Sequence, residues 1–214
     1  ALVAAEALGV PLADIEIVSG DSDRCPASVG ESGSRNTAQT GQALIEAAAD
    51  LKKQIAAKGR PAGTNALTAS ASPNPQMQGV TRSSFAAHFA EVEVDTEFGR
   101  VRVTKYLTCQ DNGRIINPLT ATSQVKGAVA MGMGMALHEE TFSDHRLGRW
   151  MNHNFGEYHV PVHADIHDIE VIFVDEPDPE VTPLGVKGLG EIGIVGCDPH
   201  DNAWLYAASR DPLI

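Results

Sequence analysis

The stretch Val92-Glu93-Val94-Asp95-Thr96-Glu97-Phe98-Gly99-Arg100-Val101-Arg102-Val103 alternates apolar and charged residues on both sides of a polar, glycine-containing break. A period of two with valine at every second position is the signature of a half-buried strand, and residues 95–99 supply the turn, so a β-hairpin is predicted here. Outward from the hairpin the period changes. Leu44, Ala48, Leu51 and Ile55 recur at helical spacing, which predicts a helix over residues 41–58 that carries Lys52 and Lys53 toward its end and stops at Gly59 and Pro61. Asn117-Pro118 opens a second long helix carrying Leu119, Val125, Val129, Met133 and Leu137. Its Gly127, Gly132 and Gly134 lower helix propensity and point to close backbone approach, whether to another helix or to a ligand.

Shorter signals complete the order. A first helix closes at Gly9, a short strand is expected at Ile15-Glu16-Ile17-Val18, and another at residues 169–174. Residues 60–83, rich in Pro, Gly, Ser, Thr and Asn, read as a long surface excursion rather than a domain boundary. The mixture of helices with a hairpin and further strands is read as an α+β fold, a two-layer mixed helix/sheet arrangement.

Composition narrows the partners. With 214 residues the chain is long enough to bury a core as one large domain or two small ones. A formal net charge of −12 argues against nucleic acid, because phosphate contacts need clustered Lys and Arg. No apolar run approaches the roughly 20 residues that cross a bilayer, so no membrane partner is expected. Cys25, Cys109 and Cys197 lack metal or redox spacing and read as free thiols or small buried hydrophobes. Cytoplasm and periplasm both stay open.

Two loops carry the chemistry. Gly185-Val186-Lys187-Gly188-Leu189-Gly190-Glu191-Ile192-Gly193 places one carboxylate in a glycine-rich loop whose backbone can press against a bulky ligand. Glu191 is its only acid and the candidate for proton transfer, against the plainer alternative of a solvated glutamate on a connection. The second loop, Gly30-Glu31-Ser32-Gly33-Ser34-Arg35-Asn36-Thr37, precedes Gly41 and a helix. Free amides near a helix N-terminus favour an anion, and Arg35 can add a bidentate phosphate contact. A Ser/Thr-rich capping turn explains the same residues equally well. No Walker loop or dinucleotide fingerprint is present.

Taken in order, Gly33-Ser34-Arg35, Thr37 and Gly41, the run Gln110-Asp111-Asn112-Gly113-Arg114-Ile115-Ile116-Asn117-Pro118, the stretch from Gly127 to Glu140 and the 185–193 loop resemble the molybdenum hydroxylases. This is the xanthine dehydrogenase and aldehyde oxidase family, and the likeness is to the C-terminal part of its molybdopterin-binding subunit over residues 1–214. The resemblance implies a molybdenum-dependent oxidoreductase that hydroxylates an aldehyde or an N-heterocycle with water as oxygen source. Glu191 then matches the general base. Gly33, Ser34, Arg35, Thr37, Gln124, Gly188, Leu189 and Gly190 match cofactor-binding positions. No metal ligand from protein is implied, because the pterin holds the molybdenum. Plain molybdopterin and its cytosine dinucleotide form both remain open. Iron-sulfur and FAD modules are implied on partner subunits or domains, together with the remainder of the molybdenum subunit, and a bacterial origin would favour the dinucleotide.

The chain also departs from that pattern. It begins in what reads as the last turns of a helix, so we expect it to be part of a longer polypeptide that does not turn over alone. After Gly193-Ile194-Val195-Gly196 the family usually enters an alanine-rich helix, whereas here Cys197-Asp198-Pro199-His200-Asp201 intervenes. Asp198 as cap and Pro199 at the first helical position predict a helix that survives, shifted or shortened. Two rival readings are a non-catalytic assembly domain and a zinc or iron site built on His153, His159, His163 and His167, three of them spaced by four. Pro161 and the strand that follows favour solvated histidines over such a site, and His138-Glu139-Glu140 reads as a charged helix end.

Overall fold

The expected hairpin forms in a computed structural model, which describes residues 1–26, 32–61, 66–72 and 83–197. Strand β1 (Phe85–Asp95) pairs antiparallel with β2 (Arg100–Asp111), and Asp95 faces Arg100 across the turn. The Asp95 carboxylate accepts from the amides of Glu97 and Phe98 at 3.0 and 3.2 Å, and Gly99 takes φ 65°, so the residue types at the turn dictate its shape. The Gly30, Glu31 pair, most of the 60–83 excursion and the helix expected from Asp198 lie outside the described residues.

Two compact units divide the chain. The first comprises Ala1–Ser83 and Glu176–Gly188. Its helix α1 (Leu2–Leu8) ends at Gly9 in the left-handed region, as expected, and packs on α2 (Asn36–Lys58). Two expectations are corrected here. Helix α2 begins at Asn36 rather than at residue 41, because Gly41 is an interior helical position against which the Leu184 side chain lies so closely that a Cβ would collide with it. Residues 15–18 pair with no strand among the described residues; a single 3-10 turn, Leu12–Asp14, leads into extended chain. The buried hydrophobic residues of this unit are small or branched: Ala4, Ala5, Ala43, Ala48, Val181, Leu184 and Val186.

The second unit comprises Ser84–Asp175 and the chain from Leu189 onward. Its sheet has the order β1-β2-β5, with β5 (Asp168–Phe173) parallel to β2. A parallel neighbour requires a crossover, and helix α3 (Pro118–Leu137) lies within it. Asn117 caps that helix as its sequence predicts, its side-chain oxygen accepting from the amides of Leu119 and Thr120 at 3.1 and 3.3 Å with Pro118 in the first turn. Val125, Val129 and Met133 of α3 join Val103, Tyr106, Ile169 and Cys197 in one core. Each buried aliphatic there contributes about 1.5–3 kcal/mol relative to exposure. Leu119, expected on the packed face, is exposed at the first turn. Two short strands, β3 (Ser143–Asp144) and β4 (Arg149–Trp150), form a separate ribbon.

A one-residue irregularity between Glu91 and Val92 shifts the register of the main hairpin. Glu91 faces Lys105 while Val92 faces Val103, so Thr104 is the extra residue, and its hydroxyl bonds the Glu91 carbonyl and carboxylate. Beyond it the inward phase of β2 passes to Tyr106, Thr108 and Gln110, all buried. The fold is α+β with a helix layered on a sheet, and no helix among the described residues is long and apolar enough to cross a membrane.

Candidate active site

The two loops singled out in the sequence are shaped by different means. In the first unit Gly33 and Ser34 have φ values of 63° and 55°, two consecutive left-handed residues immediately before α2. A serine in that region is uncommon and marks a backbone bent by its surroundings rather than by its own preference. Arg35 stands at the cap position with φ −89°, and its side chain makes no capping bond to the helix. Ser34 and Arg35 are half-buried, while Gly33 and Thr37 are exposed, Thr37 in the first turn of the helix.

The first part of the glycine loop belongs to the same unit. Gly185 takes φ 72°, donates to the Thr182 carbonyl at 2.8 Å and accepts from the Asp178 amide at 3.0 Å. A Cβ there would sit 2.9 Å from that of Pro177, so glycine is required on both conformational and steric grounds. Thr182, buried, exchanges two 2.9 Å bonds with the backbone of Val186. Lys187 turns back to the Asp178 carboxylate at 3.5 Å, with its side chain only 11% exposed. The basic residue of the loop is thus committed to an internal ion pair.

Leu189 to Gly193 belong to the second unit, where Leu189 packs against the core. The Gln124 side chain on α3 donates to the carbonyl of Gly190 at 3.1 Å. Glu191 follows, with φ −112° and ψ −11°, at the cap position of the four-residue helix α4 (Ile192–Val195). Its carboxylate makes no capping bond and is exposed, whereas Gly193 two residues later is buried. A Cβ on Gly193 would lie 2.9 Å from that of Ala128 and 3.0 Å from the Val125 carbonyl oxygen, so only glycine lets the turn descend onto α3. Sequence reasoning placed Gln124 and Gly190 among the cofactor contacts. Here they bond to each other, and together they fix the residue before the candidate base.

Beneath the turn lies a polar cluster that sequence reasoning did not find. The Tyr106 hydroxyl is 3.1 Å from His88 Nδ1 and 3.0 Å from the Cys197 thiol sulfur. Burial holds the His88 pKa below its ordinary 6.5, partly offset by a bond to the Ile192 backbone. The Tyr106 hydroxyl is pushed well above its usual range by burial and by the thiol, and burial likewise raises Cys197. The cluster is therefore neutral near pH 7. One signal was readable: His88 shares the inward phase of β1 with Ala86, Ala90, Val92 and Val94, and is the polar member of that file.

His153, His159, His163 and His167 are all exposed, and no three His, Cys, Asp or Glu among the described residues are grouped to hold a metal ion. His153 instead lines an apolar cavity of about 640 Å³ with Thr141, Trp150, Asn152, Asn154, Phe155 and Tyr158.

Comparison with known proteins places these features. A family described as the molybdopterin cofactor-binding domain matches residues 1–72 and 61–167. The molybdenum-binding subunit PaoC of an Escherichia coli aldehyde oxidoreductase is 40% identical over 222 residues, covering 92% of this chain and 30% of that protein. A putative xanthine dehydrogenase molybdenum-binding subunit from Escherichia coli is 30% identical, over 89% of this chain and 30% of that one. Among solved structures, the aldehyde oxidoreductase of Desulfovibrio desulfuricans has a TM-score of 0.69 at 26% identity, covering 92% of this chain and 23% of that one. Quinoline 2-oxidoreductase from Pseudomonas putida shares the fold with a TM-score of 0.78 at 24% identity, over 92% of this chain and 30% of its own. The chain spans about 30% of the length of the curated relatives it matches.

Proposed function

From the premise that this chain belongs to the molybdopterin cofactor-binding domain family, we propose that it is part of a molybdenum-dependent oxidoreductase that hydroxylates an aldehyde or N-heterocycle with water as oxygen source. In this reading Glu191 is the general base. The observation that carries it is the contrast at the turn: an exposed carboxylate, absent from its own helix cap, on backbone held by Gln124 and by the buried Gly193. A base must be accessible to substrate yet fixed in direction, and that combination is what the contrast provides.

The residues present fit the cofactor. Left-handed Ser34 followed by right-handed Arg35 ahead of α2 is the alternation that turns consecutive amides toward an anion, and Arg35 adds a guanidinium. Arg35, Ser34 and Thr37 would hold the phosphate or nucleotide extension of the pterin, and Gly188, Leu189 and Gly190 would offer backbone contact. Gln124 acts through its bond to Gly190 as well as toward the cofactor. Bound molybdopterin supplies the redox chemistry and the activation of water. Glu191 takes up the proton that water must lose and holds it at its carboxylate while the carbon–oxygen bond forms. The electrons leave through iron-sulfur and FAD modules on partner chains or domains.

Elemental analysis of the protein isolated from its natural source with its partners tests the reading. Molybdenum near one atom per chain is expected. Zinc without molybdenum would contradict it, and neither metal would leave an assembly role.

A further inference from the structure

We propose that His88, Tyr106 and Cys197 form a pin that fixes the turn carrying Glu191, with His88 and Tyr106 acting as positioning residues for proton transfer. The inference rests on the reading of Glu191 as base.

The turn is caught at its far end. Tyr106 bonds to Cys197, two residues beyond the last residue of α4, and to His88. Gly196 lies against the His88 ring so closely that a Cβ would overlap it. The Cys197 side chain leaves no space for a Cβ on Gly132 of α3, so the far end of the turn also seats on that helix. Tyr106 is 1% exposed and Cys197 is equally buried, which places the bonds in a low-dielectric setting where direction is enforced.

A four-residue helix cannot sustain its own geometry, because nucleation is costly and few internal bonds repay it. Its orientation must therefore come from what it touches. Apolar packing at Gly193 sets how deeply the turn sits, but dispersion contacts are not directional. The hydrogen bonds add the missing direction. Tyr106 is the shared partner, its hydroxyl 3.1 Å from His88 Nδ1 and 3.0 Å from the Cys197 sulfur.

The test uses the assembled molybdenum enzyme carrying Tyr106→Phe, which keeps the ring in the core and removes both bonds. Hydrogen exchange at the amides of residues 192–197 should accelerate at least tenfold relative to those of α3. The kcat should fall at least tenfold, with KM and molybdenum content within twofold of wild type. His88→Gln, which can both donate and accept, should restore most of the kcat that His88→Leu loses. Should Tyr106→Phe fail to assemble, Cys197→Ala takes its place, with exchange fastest toward residue 197. Unchanged exchange overturns the pin, and faster exchange with unchanged kcat overturns its positioning role. Glu191→Gln is measured alongside: continued turnover in that variant overturns the base reading instead, whatever the exchange data show.

Discussion

The side-chain amide of Gln124 donates to the carbonyl of Gly190 at 3.1 Å, tying the middle of α3 to the residue that precedes Glu191. One such bond is worth about 0.5–1.5 kcal/mol net. Gln124→Ala should therefore lower kcat by about two- to tenfold through a looser turn, as steady-state kinetics on the assembled enzyme would register. Wild-type kinetics in that variant would remove Gln124 from the account.

Gly193 touches α3 where no side chain fits, with a virtual Cβ 3.0 Å from the Val125 carbonyl. Because the obstructing atom is backbone, Gly193→Ala should cost about 1–3 kcal/mol as the turn is lifted. Urea unfolding should show a lower midpoint with an unchanged slope. Gly127, in open space on the same helix, is the control: Gly127→Ala should be neutral or stabilising by up to about 1 kcal/mol.

Acid should loosen the turn. The folded state holds the His88 pKa below 6.5, so between that value and the folded pKa the unfolded chain binds the extra proton. The stability contributed by the neutral ring is complete above about pH 6.5 and is lost as pH falls toward the folded pKa. Tyr106 and Cys197, which face the ring, have raised pKa values and stay neutral throughout this window. Protection factors at residues 192–197, which correct for the slower intrinsic exchange of amides in acid, should fall on acidification, and His88→Gln should flatten that response. An equal acid response in both proteins would contradict the assignment.

Arg35 carries a guanidinium directly after two left-handed residues. Arg35→Ala should reduce cofactor content of the purified enzyme severalfold, and Arg35→Lys should recover only part of it, since a point charge does not replace a bidentate fork. Molybdenum and phosphate analyses on both variants would check this, full occupancy in Arg35→Ala being the contrary result.

The hairpin, the Asn117 cap and the long helices were legible because each depends on local rules: valine alternation, a carboxylate turn, an asparagine before proline. The start of α2 was not. Gly41 reads as a breaker, and only the Leu184 side chain, more than a hundred residues away in sequence, explains a glycine inside the helix. The Tyr106 cluster was hidden for a related reason. Extending the phase of Val101 and Val103 places Leu107 and Cys109 inward, and the extra residue Thr104 reverses that phase. Glu191 stood out as a lone acid among glycines. What it rests on depends on contacts between distant segments, which periodicity does not reveal.

The measurement closest to the central claim is single-turnover reduction of the assembled enzyme carrying Glu191→Gln, with molybdenum content determined on the same sample. The substitution keeps the size of the side chain and removes the base, so molybdenum should remain near one per chain while the rate of substrate oxidation falls by about a hundredfold or more, the range general-base catalysis contributes. Oxidation at the wild-type rate with cofactor in place would contradict the role of Glu191.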